Sequence, residues 1–194
     1  TSTTITQLVD TAGKLSQNRR GALIVVDLGS DLRPEDFLYS GTNIEAQLST
    51  DLLINLFATD TPLHDGAVLV KGNKIISAGV ILPLSRQGIS RYGTRHLAAL
   101  GITERFDRCI CIVVSEETGT LSLANQGKLE RPITSSRLQE LLAKLIGNQN
   151  SIGANKASLS KNVLSQKTDS GDNIISDINK KESEKSEIFI NKKD

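Results

Sequence analysis

Two hydrophobic periods alternate along the first 147 residues, and the alternation stops at residue 148. Apolar residues three and four apart mark helices, and short apolar runs between turn formers mark strands. A chain that switches repeatedly between the two is confined to an α/β architecture. Ile5, Leu8, Val9 and Ala12 keep helical spacing, and residues 21–26 read as a buried strand. Residues 29–43 are rich in turn formers and read as a loop or a broken strand. Ser49, Thr50 or Asp51 caps a second helix carrying Leu52, Leu53, Leu56 and Phe57, which Thr61 and Pro62 end. Residues 67–70 and 75–82 flank a Lys-Gly-Asn-Lys turn, the pattern of a hairpin. A loop over 83–92 leads to a short helix over 95–100, with Gly101 as its left-handed cap. Residues 108–115 and 121–124 read as further strands around a turn at 116–119. Thr134 or Ser135 caps a final helix with Leu138, Leu141, Leu142 and Leu145 on one side. The expectation is one α/β domain over residues 1–147, a mixed twisted β-sheet flanked by helices.

Residues 148–194 are different in kind: 30 of these 47 are Lys, Asp, Glu, Ser or Asn. So little apolar material cannot offset the entropy of ordering the segment, which reads as a disordered polar tail. The whole chain carries 23 Lys and Arg against 22 Asp and Glu, a formal charge of +1. That balance lacks the basic excess that nucleic-acid or anionic-membrane binding draws on. Aromatic residues make up only 3% of the chain, so platforms for stacking single-stranded bases are missing too. No nucleic-acid partner is expected. No apolar stretch approaches the roughly 18 residues of a membrane span, so the chain as it stands reads as cytoplasmic. Cys109 and Cys111, two apart in an apolar run, read as buried reduced thiols on one strand face.

The polar residues that could carry chemistry gather at predicted strand and helix ends. His64, one of only two histidines, precedes Asp65-Gly66-Ala67, where a helix ends and a strand begins. A carboxylate followed by two small residues lets a ligand approach the backbone; alone, Asp-Gly is also an ordinary turn. Gly93-Thr94-Arg95-His96 opens a helix, where free N–H groups and the positive dipole end favour phosphate. Arg95 adds a forked donor, although Thr94 is equally a routine cap. Ser115-Glu116-Glu117 follows a strand, and paired carboxylates there suit a divalent cation or form a solvated acidic turn. Taken together, carboxylate, imidazole, arginine and helix start beside strand ends fit metal-assisted phosphoryl or nucleotidyl transfer.

Four segments taken together resemble the catalytic domain of diadenylate cyclases: Leu-His-Asp-Gly-Ala at 63–67, Ile-Leu-Pro-Leu-Ser at 81–85, Gly-Thr-Arg-His-Leu-Ala-Ala-Leu-Gly at 93–101 and Val-Ser-Glu-Glu-Thr-Gly at 114–119. They are most similar to the single-domain class tethered by upstream membrane helices, and the resemblance runs from about Ile5 to Leu145. It implies condensation of two ATP into cyclic di-AMP with release of pyrophosphate, with Mn²⁺, Mg²⁺ or Co²⁺ as cofactor. It further implies Asp65, Arg95 and His96 as catalytic residues. Gly66, Ala67, Leu82, Gly93, Thr94, Ser115 and Glu116 would contact ATP, and His64, Asp65 and Glu117 would hold the metal. A membrane tether upstream of Thr1, with the domain facing the cytoplasm, and a regulatory protein partner are implied in the same way.

The product is symmetric, so each ATP must present its 3′-hydroxyl to the α-phosphate of the other. Two identical domains facing one another meet that demand, which makes a homodimer the expected catalytic unit. The departure from the family pattern is Leu97, where many members carry a second arginine or a small polar residue. Leucine cannot donate to phosphate, so a regulatory module that binds ATP without turnover is the alternative. A phosphohydrolase dyad built on His64 and Asp65 would need further histidines that the chain lacks.

Overall fold

The computed structural model describes residues 2–87 and 91–147. The polar tail expected over 148–194 lies outside the described residues, as do residues 88–90 of the expected loop. Helix α1 (Ser2–Gln17) leads into β1 (Ala22–Asp27), β2 (Thr42–Gln47) and α2 (Thr50–Leu56). The hairpin β3 (Ala67–Lys71) and β4 (Lys74–Val80) follows, then α3 (Thr94–Arg105). A meander of β5 (Cys109–Val114), β6 (Leu121–Asn125) and β7 (Lys128–Ile133) precedes a last helix, α4, over residues 135–147. All seven strands form one sheet in the order β2-β4-β3-β1-β5-β6-β7. Only β1 and β3 run parallel; the other neighbours are antiparallel.

Every residue of the central strands β1 and β5 is buried, because helices cover both faces of the sheet. Ile24, Val26, Ile110 and Ile112 point to one core, which Leu8 and Leu15 of α1, Leu53 of α2 and Leu138 and Leu142 of α4 complete. Their alternates Leu23, Val25, Cys109 and Cys111 point to the other, closed by Ala98, Ala99 and Ile102 of α3. A fully buried leucine contributes about 2 kcal/mol relative to exposure, so a mostly aliphatic core, with Phe57 as its one fully buried aromatic among the described residues, holds the sheet. Both cysteines are free and buried, and burial pushes the Cys111 thiol well above its ordinary value, which keeps it unreactive. Among the described residues no helix is long and apolar enough to cross a membrane.

The structure corrects the sequence reading in three places. Strand β2 occupies the end of the expected loop and beyond; it is an edge strand with a bulge between Asn43 and Ala46, and exposure on most positions blurs its pattern. Strand β7 was not expected at all. It is the opposite edge, largely exposed, and carries Pro132, which only an edge tolerates. Helix α3 does not stop at Gly101 but runs to Arg105, with Phe106 as its cap. A β-carbon at Gly101 would stand 2.1 Å from the carbonyl oxygen of Pro83, so glycine is there for a close approach. The segment after β4 presses on α3 at that point, and Ser85 N–H donates to the Leu97 carbonyl. Ser85 Oγ also donates to Glu104, at 2.6 Å.

Candidate active site

The strand directions bring the motifs to one end of the sheet. Ala22, at the start of β1, pairs with Val114, at the end of β5. Parallel β3 starts at the same end, so Asp65 and Gly66 arrive beside Leu23, and Ala67 pairs with Val80 at the end of β4. Two adjoining cavities open there. The larger, of about 650 Å³, is lined by Gly93, Thr94, Arg95, His96, Ser115, Glu116 and Glu117, together with Arg91, Val114, Thr118 and Arg131. The smaller, of about 100 Å³, is lined by Asp65, Gly66, Ala67 and Leu82 with apolar Leu23, Val80, Ile81, Leu84 and Ala98. Thr94 and Arg95 line both, so the cavities form one cleft with an apolar and a charged chamber.

No side chain caps α3 at Gly93, which leaves its leading N–H groups and positive dipole end available to an anion. Arg95 donates from Nη1 to Glu116 at 2.8 Å, so Glu116 orients this guanidinium. The fold makes room for it: a β-carbon at Gly21 would lie 2.6 Å from Nη1 of Arg95. Gly66 has a different reason to be glycine. Its missing β-carbon would stand 2.3 Å from the backbone of Gly79, so two strands meet there, and the position serves packing as well as the floor of the cleft.

His96 is buried, with Nε2 at 3.2 Å from Ser122 Oγ and its ring stacked on Tyr92 at 6.3 Å between centroids. Burial first, and the charge of Arg131 second, push its pKa below the ordinary histidine value. Both effects favour the neutral imidazole over the charged one. Leu97, the residue that departs from the family pattern, is buried and lines neither cavity.

The expected metal ligands do not come together among the described residues. His64 Nδ1 donates to the Thr61 carbonyl, which only accepts, and Nε2 lies 3.2 Å from Asp65 Oδ1. An imidazole nitrogen beside a carboxylate is a ligand pair that suits a divalent cation, Mn²⁺ or Co²⁺ more than Mg²⁺. Glu117 lies outside this pair. It follows β5, two strands away from β3, a separation of about 10 Å at the usual strand spacing. Among the described residues no three of His, Cys, Asp or Glu converge on a common point.

Sequence reasoning missed Gly21, Tyr92, Thr118 and Arg131 as parts of this site. Arg131 sits on unexpected β7, and its position was hidden with the strand. Gln126 and Gly127 form a tight turn with positive φ after β6, and the Asn-Gln-Gly at 125–127 was the available sequence signal for that hairpin.

Comparison with known proteins agrees with the architecture. The family model described as DisA bacterial checkpoint controller nucleotide-binding matches residues 9–129. The chain is 47% identical over 132 residues to a diadenylate cyclase of Listeria monocytogenes, covering 67% of this chain and 47% of that protein. It is similar to the crystal structure of a double mutant of DacA from Staphylococcus aureus, with a TM-score of 0.68 and 37% identity over 74% of this chain and 95% of the other. A hypothetical membrane spanning protein from Bacillus cereus matches with a TM-score of 0.61 and 41% identity, over 66% of this chain and 63% of that one. The chain spans about half the length of the curated relatives from Listeria monocytogenes and Bacillus subtilis that it matches. With the matched model covering more than half of the chain, the chain belongs to the DisA bacterial checkpoint controller nucleotide-binding family, the diadenylate cyclase domain.

Proposed function

We propose that the chain condenses two ATP molecules into cyclic di-AMP and two pyrophosphates, working as a face-to-face homodimer. One observation carries this reading: an apolar chamber and a cationic chamber share Thr94 and Arg95, the division that a purine and its triphosphate require. The base enters the small chamber against Leu82, and the phosphates extend over the start of α3. Asp65 supplies the complementary half. Its carboxylate is 82% exposed, directed outward from the rim, where a nucleotide held by a facing protomer is within reach.

In each half-reaction the 3′-oxygen of one ATP attacks the α-phosphorus of the other. Asp65 accepts the hydroxyl proton, the bond from the α-phosphorus to the bridging oxygen breaks, and pyrophosphate leaves. Arg95 meets the developing charge, in a position fixed by Glu116. Mn²⁺, Mg²⁺ or Co²⁺ held by His64 and Asp65 would supply further neutralisation at the phosphates, with Glu117 of the larger cavity completing the ligand set across the dimer. The upstream membrane tether and the regulatory protein are part of the same proposal and draw on the family alone.

The alternative, an ATP-binding module without turnover, is motivated by Leu97, which is buried and lines neither cavity. Incubation with ATP and Mn²⁺ followed by product analysis separates the readings. Cyclic di-AMP supports the enzyme, metal-dependent ATP binding without product supports the module, and neither result would sink both. Asp65→Asn, which keeps shape and removes charge, is expected to lower turnover by about 10²- to 10⁴-fold with an unchanged unfolding midpoint.

A further inference from the structure

Three arginines line the larger cavity, and their situations differ. Arg95 is engaged by Glu116 at 2.8 Å. Arg91 and Arg131 form no ion pair among the described residues, and of these two only Arg131 rests on a ring. Its guanidinium carbon lies 5.7 Å from the centroid of Tyr92. Tyr92 stacks in turn on His96, with 29° between the ring planes, and His96 reaches Ser122 of β6. A ladder of Arg131, Tyr92, His96 and Ser122 therefore ties the edge strand β7 to the first turn of α3.

The backbone reinforces this placement. In the β6–β7 pairing Leu121 faces Ile133 while Leu123 faces Glu130, so two residues, Arg131 and Pro132, oppose the single Ser122. Such a bulge re-aims a side chain, and bulges recur beside active sites for that reason. A guanidinium that forms no ion pair among the described residues and lies over an aromatic face presents the forked donors that a polyphosphate takes. Its charge also acts on the ladder, since Arg131 is the second cause, after burial, that lowers the pKa of His96.

We propose that Arg131, seated on Tyr92, binds the β- and γ-phosphates of the nucleotide, the end that departs as pyrophosphate. The assignment rests on the reading of the cleft as an ATP site. Thr94 and Arg95 belong to both chambers and so meet the phosphate nearest the nucleoside. Arg131 lines only the charged chamber and meets what lies beyond. Arg131 touches substrate, whereas Tyr92 is a positioning residue that acts through it.

The test measures turnover and calorimetric binding of ATP, AMP and inorganic pyrophosphate by the full chain with Mn²⁺. Arg131→Gln is expected to raise the KM and Kd for ATP at least tenfold and to weaken pyrophosphate equally, with AMP affinity unchanged within twofold. Tyr92→Leu shifts ATP in the same direction by a smaller factor, and Tyr92→Phe, which keeps the ring, restores it. Arg131→Lys retains the charge without the fork; it gives an intermediate loss and serves in place of glutamine if the latter disturbs β7. Wild-type ATP affinity in Arg131→Gln overturns the proposal and leaves the nucleotide reading standing. Equal losses of ATP and AMP also overturn it, since they mark a structural role. A wild-type chain that neither binds ATP nor forms product overturns the nucleotide reading and this assignment together.

Discussion

Space at Gly21 is filled by the guanidinium of Arg95, the far end of a flexible side chain rather than a rigid backbone. Gly21→Ala therefore pushes Arg95 out of its seat against Glu116 at little cost to the fold. The expected result is a fall in kcat/KM of about tenfold, equivalent to about 1.4 kcal/mol of transition-state stabilisation, with thermal unfolding nearly unchanged. A large drop in the unfolding midpoint would instead give Gly21 a packing role. His96 makes a second prediction at this scale. Its pKa is lowered in the fold, so below about pH 6.5 the unfolded chain binds a proton that the native chain refuses. The stability tied to this residue is thus complete above pH 6.5 and is lost as pH falls through that value toward the lowered native one. Urea midpoints measured across this window should decline in the wild type, and the decline should shrink in His96→Gln. Most residues around the cleft were legible in the sequence because chemistry-bearing types stood at element ends. Gly21 and Arg131 were not, since one matters through an atom it lacks and the other through a register that only the folded sheet fixes.

At the level of elements, α3 is the hinge between sequence and site. Residues 96–103 are all buried because the helix is clamped between the sheet and the segment after β4. A helix covered on two sides loses the amphipathic period that marks a surface helix, which is why Gly101 read as a stop. Its true role gives a sharp prediction. Alanine at 101 gains about 1 kcal/mol of helix propensity, but its β-carbon meets the Pro83 carbonyl, which cannot swing aside as a side chain would. The expected net loss is about 2 kcal/mol, in the range of overpacked cores, measured by chemical denaturation. Because the displaced segment carries Leu82 and Leu84 of the apolar chamber, the KM for ATP should rise in the same variant. The inner strands β1, β3 and β5 were readable as apolar runs because both of their faces are covered. The edges β2 and β7 were hidden because solvent, charge and a bulge replace the period that pattern reading depends on.

For the whole molecule the deciding quantity is self-association. A single protomer offers one apolar chamber and one charged chamber, hence room for one ATP, while the proposed product contains two adenylates. Among the described residues the only large apolar side chains left exposed are Leu38, Tyr39, Ile81 and Leu84, and the last two line the apolar chamber. A patch so small contributes little burial against the translational and rotational cost of pairing, so the proposed dimer is expected to be weak when this domain pairs alone. Below its dissociation constant the dimeric fraction grows in proportion to protein concentration. The specific activity, product per protomer per unit time, should therefore double with each doubling of enzyme and then level off. Fusion to a parallel coiled coil raises the effective concentration, so it should lift the low-concentration activity to the plateau without altering the plateau itself. The measurement pairs initial rates across a hundredfold range of protein with molar mass by light scattering at the same concentrations. Constant specific activity in a sample that stays monomeric would mean that one cleft completes both phosphodiester bonds, and the face-to-face arrangement would have to be abandoned.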